Sequence, residues 1–240
     1  MRTDRRKVVV VIPAYNEEST IKETVSYFRS MGVPCVVSDD GSSDQTRVEA
    51  ANGGAIVRNS SVNHGIAWAT QRGIIHAMWF MDPLVIVTMD AGGSHSPQDF
   101  WKLVQTLEEG ADIAIGSRFV EEAKYEGGRA WRKTLSRAYG ICMGFACHSK
   151  VKDWTSGYRA YRAPTWNHLA DRGFFPQGTV YLAKGHAWQA EVLANANVLG
   201  LDIREVPISY KAGRSSFRIK SALEAWQVLT HAFFHIGGPR

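Results

Sequence analysis

Three clusters of polar residues each follow a short apolar run in the first part of the chain. They span Pro13 to Glu18, Asp39 to Asp44 and Asp90 to His95. Their carboxylates are oxygen ligands of the kind that hard cations such as Mg²⁺ bind. Asp and Ser are also common in helix caps and turns, so for Asp44 a cap and a ligand are equally good interpretations. Three such clusters in succession favour a ligand-binding edge.

The apolar pattern predicts the elements that must position these clusters, and in this prediction strands alternate with helices. We predict strands at 7–12, 35–38, 55–58, 84–89 and 112–116, with helices at 17–31, 44–51, 64–81 and 97–109. This alternation is typical of an α/β fold with a mostly parallel central sheet flanked by helices. Ligands of such sheets bind beyond the carboxyl ends of the strands, where the three clusters lie.

The pattern is looser after residue 116. We predict a polar loop at 120–128, strands at 158–162 and 203–208, a second polar loop at 211–217, and helices at 130–147, 180–199 and 219–234. No internal repeat, linker or low-complexity stretch interrupts the 240 residues. We therefore expect a single domain over 1–240.

Charge is distributed unevenly along the chain. Residues 1–112 carry 10 basic and 14 acidic side chains, the remainder carries 18 and 9, and the formal net charge is +5. This overall excess is too small to indicate a nucleic-acid partner. Residues 129–162 hold eight basic side chains and one acid, Asp153. A local cationic surface of this kind suits an anionic ligand.

Several classes of protein are excluded. The longest apolar runs are far shorter than the ~20 residues of a membrane span, and the N-terminus lacks a signal-peptide pattern. Cys35, Cys142 and Cys147 show neither a disulfide nor a zinc-ligand pattern. Neither a Gly-x-Gly-x-x-Gly loop nor a Walker loop occurs. We expect a cytoplasmic protein, or a peripheral one on the cytosolic face of a membrane.

Seven motifs resemble those of inverting family 2 glycosyltransferases with a GT-A fold. Three of them are Val-Ile-Pro-Ala-Tyr-Asn-Glu-Glu at 11–18, Asp-Asp-Gly-Ser-Ser-Asp-Gln-Thr at 39–46 and Met-Asp-Ala at 89–91. The other four are Gly-Ser-Arg at 116–118, Trp-Arg-Lys at 131–133 followed by Ser136 and Arg137, Asp-Trp-Thr-Ser-Gly-Tyr-Arg at 153–159, and Glu-Val-Pro-Ile at 205–208. These four are similar to motifs of dolichyl- and polyprenyl-phosphate mannosyltransferases. The resemblance covers about residues 7–220.

The resemblance implies a donor half, about 1–117, and an acceptor half, about 118–240. The implied donor-binding residues are Pro13, Tyr15, Glu17, Asp39, Asp40, Asp90, Ala91 and Arg214. Among them, Asp39 would hydrogen-bond the base, Asp90 would lie near the ribose and the metal, and Arg214 would reach the diphosphate. The implied ligands of the acceptor's phosphate are Arg118, Arg132 and Ser136.

The acceptor decides whether such an enzyme needs a catalytic base. A sugar hydroxyl must lose a proton in the transition state, whereas a phosphate monoester, with a second pKa near ~6, is already anionic at neutral pH. It needs orienting cations instead, and Arg suits this because it is permanently charged and bidentate. Asp153 is the best candidate if a base exists. The candidate catalytic residues are therefore Asp90, Arg118, Arg132 and Asp153.

The metal site departs from the family pattern. Gly92 and Ser94 stand where the resembled enzymes have a second carboxylate and an amide that help to hold Mg²⁺ or Mn²⁺. Asp90 would remain as a weak metal ligand, since Mg²⁺ often keeps several waters and few protein ligands. We expect reduced metal dependence, or reliance on Arg and Lys.

Three functions are compatible with these residues. The first is transfer of mannose or glucose from a GDP- or UDP-sugar to polyprenyl or dolichyl phosphate, with peripheral membrane contact or a membrane partner protein. The second is a glycosyltransferase with a non-lipid acceptor, such as a protein, a glycan or a modified nucleic-acid base. The third is a nucleotide-sugar-binding protein without turnover, which Gly92 suggests.

Overall fold

The computed structural model describes residues 7–169, 185, 187–212 and 219–233. Its strands are β1 (Val8–Ala14), β2 (Cys35–Asp39), β3 (Ile56–Asn59), β4 (Val85–Thr88), β5 (Ile113–Ser117), β6 (Lys124–Glu126), β7 (Arg159–Arg162), β8 (Ile203–Pro207) and β9 (Ser209–Lys211). Seven of them form one sheet in the order β3-β2-β1-β4-β7-β5-β8, and β6 pairs with β9 in a small second sheet.

The helices flank the large sheet. They are α1 (Ile21–Ser30), α2 (Thr46–Gly53), α3 (Ile66–Met81), α4 (Phe100–Glu108), α5 (Ala130–Ala146), α6 (Ala163–Leu169), α7 (Trp188–Val198) and α8 (Ile219–His231). A short 3₁₀ turn, Pro97–Asp99, leads into α4, and its proline suits the first turn of a helix because that N–H would have no partner there.

The strand β1 shows why the sheet is covered on both faces. Every residue of its Val-Val-Val-Val-Ile-Pro-Ala sequence is buried. Successive side chains of a strand point to opposite faces. Accordingly Val9 and Val11 join the apolar cluster that contains residues of α3, α5 and α7. Val8, Val10 and Ile12 join the other cluster, which contains residues of α1 and α4.

Most of the large sheet is parallel, as predicted. The pairs β1–β2, β1–β4, β2–β3 and β5–β8 are parallel. Strand β7 is the exception, since it lies between β4 and β5 and runs antiparallel to both. The carboxyl ends of β1, β2 and β4 therefore share one edge of the sheet, and the residues that precede β7 enter at the same edge.

The structure differs from the predicted elements in several places. The predicted loop at 120–128 contains β6, because its backbone pairs with β9, more than eighty residues away in the chain. The helix α6 was not predicted, and the helix predicted at 180–199 is described from Trp188 to Val198. Residues 180–184 and 186 lie outside the described residues, as does the candidate donor residue Arg214.

Candidate active site

The ends of β1 and β2 bring the first two polar clusters together. Ala14 is in register with Asp39 across these parallel strands. Pro13 is buried within β1, Tyr15 is about half exposed at 49%, and Glu17 is partly buried. The loops are tied to each other, since the Glu17 backbone N–H donates to Thr46 Oγ1 at 2.7 Å. The sequence-predicted nucleotide-pocket residues thus lie along one edge.

Asp39 is fully buried and only partly satisfied. Its Oδ2 accepts a hydrogen bond from the Ser42 backbone N–H at 3.3 Å and lies 3.6 Å from Arg47 Nε. Its Oδ1 has no hydrogen-bond partner among the described residues. A buried carboxylate oxygen without a partner is costly. Asp39 Oδ1 is therefore left as a hydrogen-bond acceptor at the residue that was predicted to bind the base of the nucleotide sugar.

Asp40 and Asp44 are bonded to the backbone. Asp40 accepts from the backbone N–H groups of His64 at 2.9 Å and Gly65 at 2.7 Å. Burial raises the pKa of the Asp40 carboxyl, and these two hydrogen bonds oppose that rise. Asp44 accepts from the Thr46 backbone N–H at 2.9 Å, beside the start of α2. Asp44 therefore shapes the turn that precedes α2, and the N-cap position of this helix is Gln45.

Asp90 follows β4 and lies against the segment that enters β7. Its Oδ2 is 3.6 Å from Nδ1 of the buried His95. A methyl group placed on Gly157 would lie 2.6 Å from Asp90 Oδ1, so Asp90 can occupy this place only beside a glycine. Ala91, the next residue, is buried, and its carbonyl accepts from Thr20 Oγ1 at 2.9 Å. Gly157 was not predicted to be a site residue, although it belongs to the Asp-Trp-Thr-Ser-Gly-Tyr-Arg motif at 153–159.

Gly92, which stands where the resembled enzymes have a second carboxylate, lies beside the carboxylate of Glu17. A Cβ on Gly92 would lie 3.2 Å from Glu17 Oε1 and 3.4 Å from Oε2. Burial raises the pKa of the Glu17 carboxyl, and repulsion from Asp90 adds to the rise. Among the described residues no group of three or more His, Cys, Asp or Glu side chains could hold a metal ion.

Arg118, immediately after β5, is the centre of a second polar cluster. Its Nε and Nη2 donate to the two oxygens of Asp153 at 2.7 and 2.6 Å. Nη2 also donates to Thr155 Oγ1 at 2.6 Å and lies 3.4 Å from Ser136 Oγ. The two hydroxyls are 2.8 Å apart. The structure thus brings Arg118, Ser136 and Asp153 together and adds Thr155, which the sequence analysis did not single out.

Asp153 has the geometry of a support for Arg118. It is fully buried, and besides Arg118 it accepts from the Ser156 backbone N–H at 3.1 Å. Burial alone would raise its pKa, but the Arg118 guanidinium holds the pKa of this carboxyl below its ordinary value. A buried carboxylate whose two oxygens already accept from Arg118 and from backbone N–H groups is not free to accept a proton from a substrate hydroxyl. This geometry favours an ion-pair role for Asp153 over the role of a base.

Glu205, in β8, holds the loop that carries Asp153. Its two carboxylate oxygens accept from the backbone N–H groups of Lys152 at 2.8 Å and Asp153 at 2.9 Å. Glu205 belongs to the Glu-Val-Pro-Ile motif, so the sequence did mark this residue. The motif does not show that the Glu205 carboxylate accepts hydrogen bonds from a loop about fifty residues earlier in the chain. The Arg118 cluster therefore rests on β5, α5, β8 and the loop before β7.

Arg132 lies one turn before Ser136 on α5. Residues four apart are neighbours on one face of a helix, so Arg132 shares the face whose Ser136 contacts the Arg118 cluster. The guanidinium carbon of Arg132 is 5.5 Å from the ring centre of Trp131. The helix thus carries a second cation on the face that bears Ser136.

The two clusters are neighbours. The guanidinium carbon of Arg118 is 5.1 Å from the ring centre of Tyr210, and that ring is 5.2 Å from the ring of His95, which contacts Asp90. The segment from Asp153 to Gly157 also links them, since one end bonds Arg118 and the other touches Asp90. The site therefore consists of two parts, the acidic side chains at the edge of the sheet and, next to them, the cluster around Arg118.

This fold is that of the GT-A glycosyltransferases. The family model for glycosyl transferase family 2 matches residues 9–167. The chain belongs to that family. Within the described residues, none of the helices combines the length and the apolar character needed to cross a membrane.

Known proteins similar to this chain include two curated relatives. Polyprenol monophosphomannose synthase of Mycolicibacterium smegmatis is 28% identical over 85% of this chain and 77% of its own length. Undecaprenyl-phosphate mannosyltransferase of Micrococcus luteus is 30% identical over 85% of this chain and 83% of its own.

A solved structure confirms the fold. Glucosyl-3-phosphoglycerate synthase from Mycobacterium tuberculosis, in complex with Mn²⁺, UDP-glucose and phosphoglyceric acid, superposes with a TM-score of 0.71 and 22% identity. The match covers 98% of this chain and 81% of that one.

Proposed function

We propose that this glycosyltransferase transfers a hexose, mannose or glucose, from a GDP- or UDP-sugar to polyprenyl phosphate, with inversion at the anomeric carbon. The observation that carries the proposal is the Arg118 guanidinium, held by the buried Asp153 beside the hydroxyls of Ser136 and Thr155. The names of the two curated relatives support polyprenyl phosphate as the acceptor.

The proposed reaction is a single displacement. An anionic oxygen of the acceptor phosphate forms a bond to the anomeric carbon of the sugar, while the bond from that carbon to the nucleotide diphosphate breaks. Because the phosphate is already ionised at neutral pH, no proton has to be removed. Arg118 and Arg132 orient the acceptor through charge-assisted hydrogen bonds, and the hydroxyls of Ser136 and Thr155 offer further donors.

Asp153 acts in this proposal as a positioning residue. It fixes the guanidinium of Arg118 in one orientation, and Glu205 fixes the backbone of Asp153. Preorganised charge of this kind stabilises a transition state without reorganisation during the reaction. The donor side uses Asp39 toward the base, within a pocket lined by Pro13 and Tyr15.

A divalent cation, Mg²⁺ or Mn²⁺, would neutralise charge on the departing diphosphate when it is bound. Asp90 would be the carboxylate that holds it, while Gly92 and Ser94 offer no carboxylate. This donor set fits a cation held mainly by the diphosphate and by water. We therefore propose weak metal dependence, with Arg214 retained as a candidate cation for the diphosphate.

The test is to incubate the protein with labelled GDP-mannose, GDP-glucose, UDP-glucose or UDP-mannose and polyprenyl phosphate, and then to extract the lipid. We expect label in the organic phase with at least one donor, and a loss of at least a hundredfold in Arg132→Ala. Arg204→Ala is the matched control, because that arginine is exposed and pairs with Asp202. Absence of label in the organic phase with every donor would overturn the acceptor assignment.

A second candidate is transfer to a soluble acceptor. The complex of the solved relative contains phosphoglyceric acid, which is also a phosphate monoester, so this compound belongs in the same assay. If the Arg132→Ala variant still formed a labelled product in the aqueous phase, a non-lipid acceptor other than phosphoglyceric acid would be favoured. Calorimetric binding of a nucleotide sugar without any product, unchanged by Gly92→Asp, would favour a binding protein without turnover.

A further inference from the structure

Tyr210, in β9, lies between the acidic edge of the sheet and the cluster around Arg118. The guanidinium carbon of Arg118 is 5.1 Å from the centre of the Tyr210 ring, and the ring of His95 is 5.2 Å from it. His95 in turn has its Nδ1 3.6 Å from Asp90 Oδ2. Tyr210 therefore lies against the residue proposed to orient the acceptor phosphate and, at the same time, against the loop proposed to bind the donor.

The backbone of β9 holds Tyr210 at this place. The Ser209 backbone N–H donates to Asp99 Oδ2 at 2.7 Å, and the Lys211 backbone N–H donates to the Ser94 carbonyl at 2.8 Å. Ser94 belongs to the polar cluster that follows β4. Because these hydrogen bonds are made by the residues on either side of Tyr210, a change of its side chain should leave the backbone of β9 in place.

A second tyrosine supports the ring of Tyr210. Tyr125, in β6, is in register with Tyr210 in the small sheet, and their ring centres are 5.2 Å apart. The Nζ of Lys133, on α5, is 4.9 Å from the ring centre of Tyr125. Two cations therefore lie against this pair of rings. A cation over an aromatic ring is attracted by its π electrons, more strongly where water is excluded, and the side chain of Arg118 is only 11% exposed.

The hydroxyl of Tyr210 is influenced by charges of both parts of the site. Burial raises the pKa of this hydroxyl, the Arg118 guanidinium opposes the rise, and the Asp90 carboxylate adds to it. A tyrosine whose pKa lies above its ordinary value is protonated at neutral pH, so its hydroxyl is a hydrogen-bond donor. A neutral donor beside Arg118 suits a phosphate monoester, because three of the phosphate oxygens accept hydrogen bonds.

The proposed displacement places the reacting carbon in the same interval. The acceptor phosphate lies at Arg118 and the donor diphosphate near Asp90, so the anomeric carbon must lie between them. The attacking phosphate and the departing diphosphate both carry negative charge. A donor between them that binds a phosphate oxygen other than the attacking one fixes the direction of attack.

We propose that Tyr210 is a further catalytic residue, whose ring supports the Arg118 guanidinium and whose hydroxyl donates a hydrogen bond to an oxygen of the acceptor phosphate. This rests on the proposed function, because it requires a phosphate acceptor at Arg118. The hydroxyl keeps its proton throughout, so one carbon–oxygen bond forms and one breaks without any proton transfer. The two roles are separable, since phenylalanine keeps the ring and lacks the donor.

The experiment compares Tyr210→Phe and Tyr210→Leu with the unchanged protein, with a short-chain, water-soluble isoprenyl phosphate as the acceptor. Tyr210→Phe should lower kcat/KM for the acceptor about tenfold, the effect of losing one hydrogen bond to a charged group. The KM for the nucleotide sugar should change by less than twofold. Tyr210→Leu should lower kcat/KM for the acceptor about a hundredfold, because Arg118 also loses its aromatic support.

Tyr139→Phe is the matched control. It removes a tyrosine hydroxyl from α5, but the ring of Tyr139 packs against the apolar cluster that contains residues of α7. This variant should transfer sugar at the normal rate. Calorimetric titration with the isoprenyl phosphate in the absence of donor measures the contact without turnover. Tyr210→Phe should bind this acceptor about tenfold more weakly than the unchanged protein, with the same melting temperature.

Two results would overturn the assignment of Tyr210. These are a Tyr210→Phe variant that binds and uses the acceptor like the unchanged protein, and a loss that appears in the KM for the nucleotide sugar instead. Transfer by the unchanged protein would in both cases leave the proposed function standing. If the unchanged protein transferred sugar to no phosphate acceptor, the proposed function would fail, and the titration would decide on Tyr210. Weaker binding by Tyr210→Phe would then support the contact, and equal or absent binding would exclude it.

Discussion

The acidic edge of the sheet and the cluster around Arg118 use charged residues in opposite ways. At the acidic edge, Asp40 and Asp44 accept backbone hydrogen bonds that shape loops. In the Arg118 cluster, one buried carboxylate, Asp153, is bound by one arginine, Arg118. The acids of the first region mostly build its framework, whereas the single acid of the second holds a cation in place. A carboxylate in a motif is therefore not by itself evidence for a base or a metal ligand.

The largest expected effect tests the buried pair. Asp153→Ala leaves the guanidinium of Arg118, 11% exposed, without its partner, and losing one member of a buried ion pair costs about 3–5 kcal/mol of unfolding free energy. Urea denaturation measures it. Asp202→Ala is the control, since its pair with Arg204 is exposed and should change stability by less than about 1 kcal/mol. Equal effects of the two substitutions would contradict the comparison.

The next effect tests the contact between the two regions. Gly157→Ala would place a methyl group 2.6 Å from Asp90 Oδ1, and Asp90 must then move. Overpacking of this kind costs about 1–3 kcal/mol, so we expect the donor KM to rise about tenfold. The acceptor KM, measured in the same assay, should change less than twofold. A larger change in the acceptor KM would place Asp90 with the acceptor.

A smaller effect tests the metal departure. Gly92→Asp would add a carboxylate beside that of Glu17, because its Cβ would lie 3.2 Å from Glu17 Oε1. Like charges so close repel unless a cation lies between them. We expect a lower melting temperature without metal and a larger rise on adding Mn²⁺ and nucleoside diphosphate than in the unchanged protein. An equal rise in both proteins would show that position 92 does not limit metal binding.

The smallest effect is a pH dependence at Glu17. The pKa of Glu17 is raised in the folded protein, chiefly by burial and also by repulsion from Asp90. The folded protein therefore loses stability as the pH rises above 4.5, the ordinary pKa of this side chain, because ionising Glu17 costs more in the folded than in the unfolded state. Glu17→Gln should therefore raise the melting temperature at pH 7, and the gain should vanish below pH 4. Glu23→Gln, on the exposed side of α1, measures the effect of removing any surface carboxylate. An equal gain at both pH values would contradict the assignment.

The local apolar pattern was sufficient to predict the strands and helices of the first half of the chain, where the strands are parallel. The apolar run of β1 predicted a buried strand, and the motif after it predicted a ligand edge, because these features depend on neighbours in sequence. The same reasoning missed β6 and placed a loop there. Its pairing with β9 joins Tyr125 to Tyr210, and no local signal encodes so distant a partner.

The candidate site shows the same division. Motifs pointed to Arg118 and Ser136, but the ion pair of Arg118 with Asp153 was not predicted, because the residue type of Asp153 is equally suited to a base and to an ion pair. Only burial and the donors around it distinguish the two. Thr155 and Glu205 lay inside recognised motifs without an assigned role, since their importance comes from contacts with α5 and with the loop before β7.

The sequence by itself determined the alternation of strands and helices, the family, and the division between an acidic and a basic half, because periodicity, motifs and charge are written locally. The tertiary structure alone decided that β7 runs antiparallel between β4 and β5, that Gly157 makes room for Asp90, and that Asp153 supports Arg118. It also decided which side of α5 is left exposed. These properties depend on the distances between segments remote in sequence, and only the folded chain sets those distances.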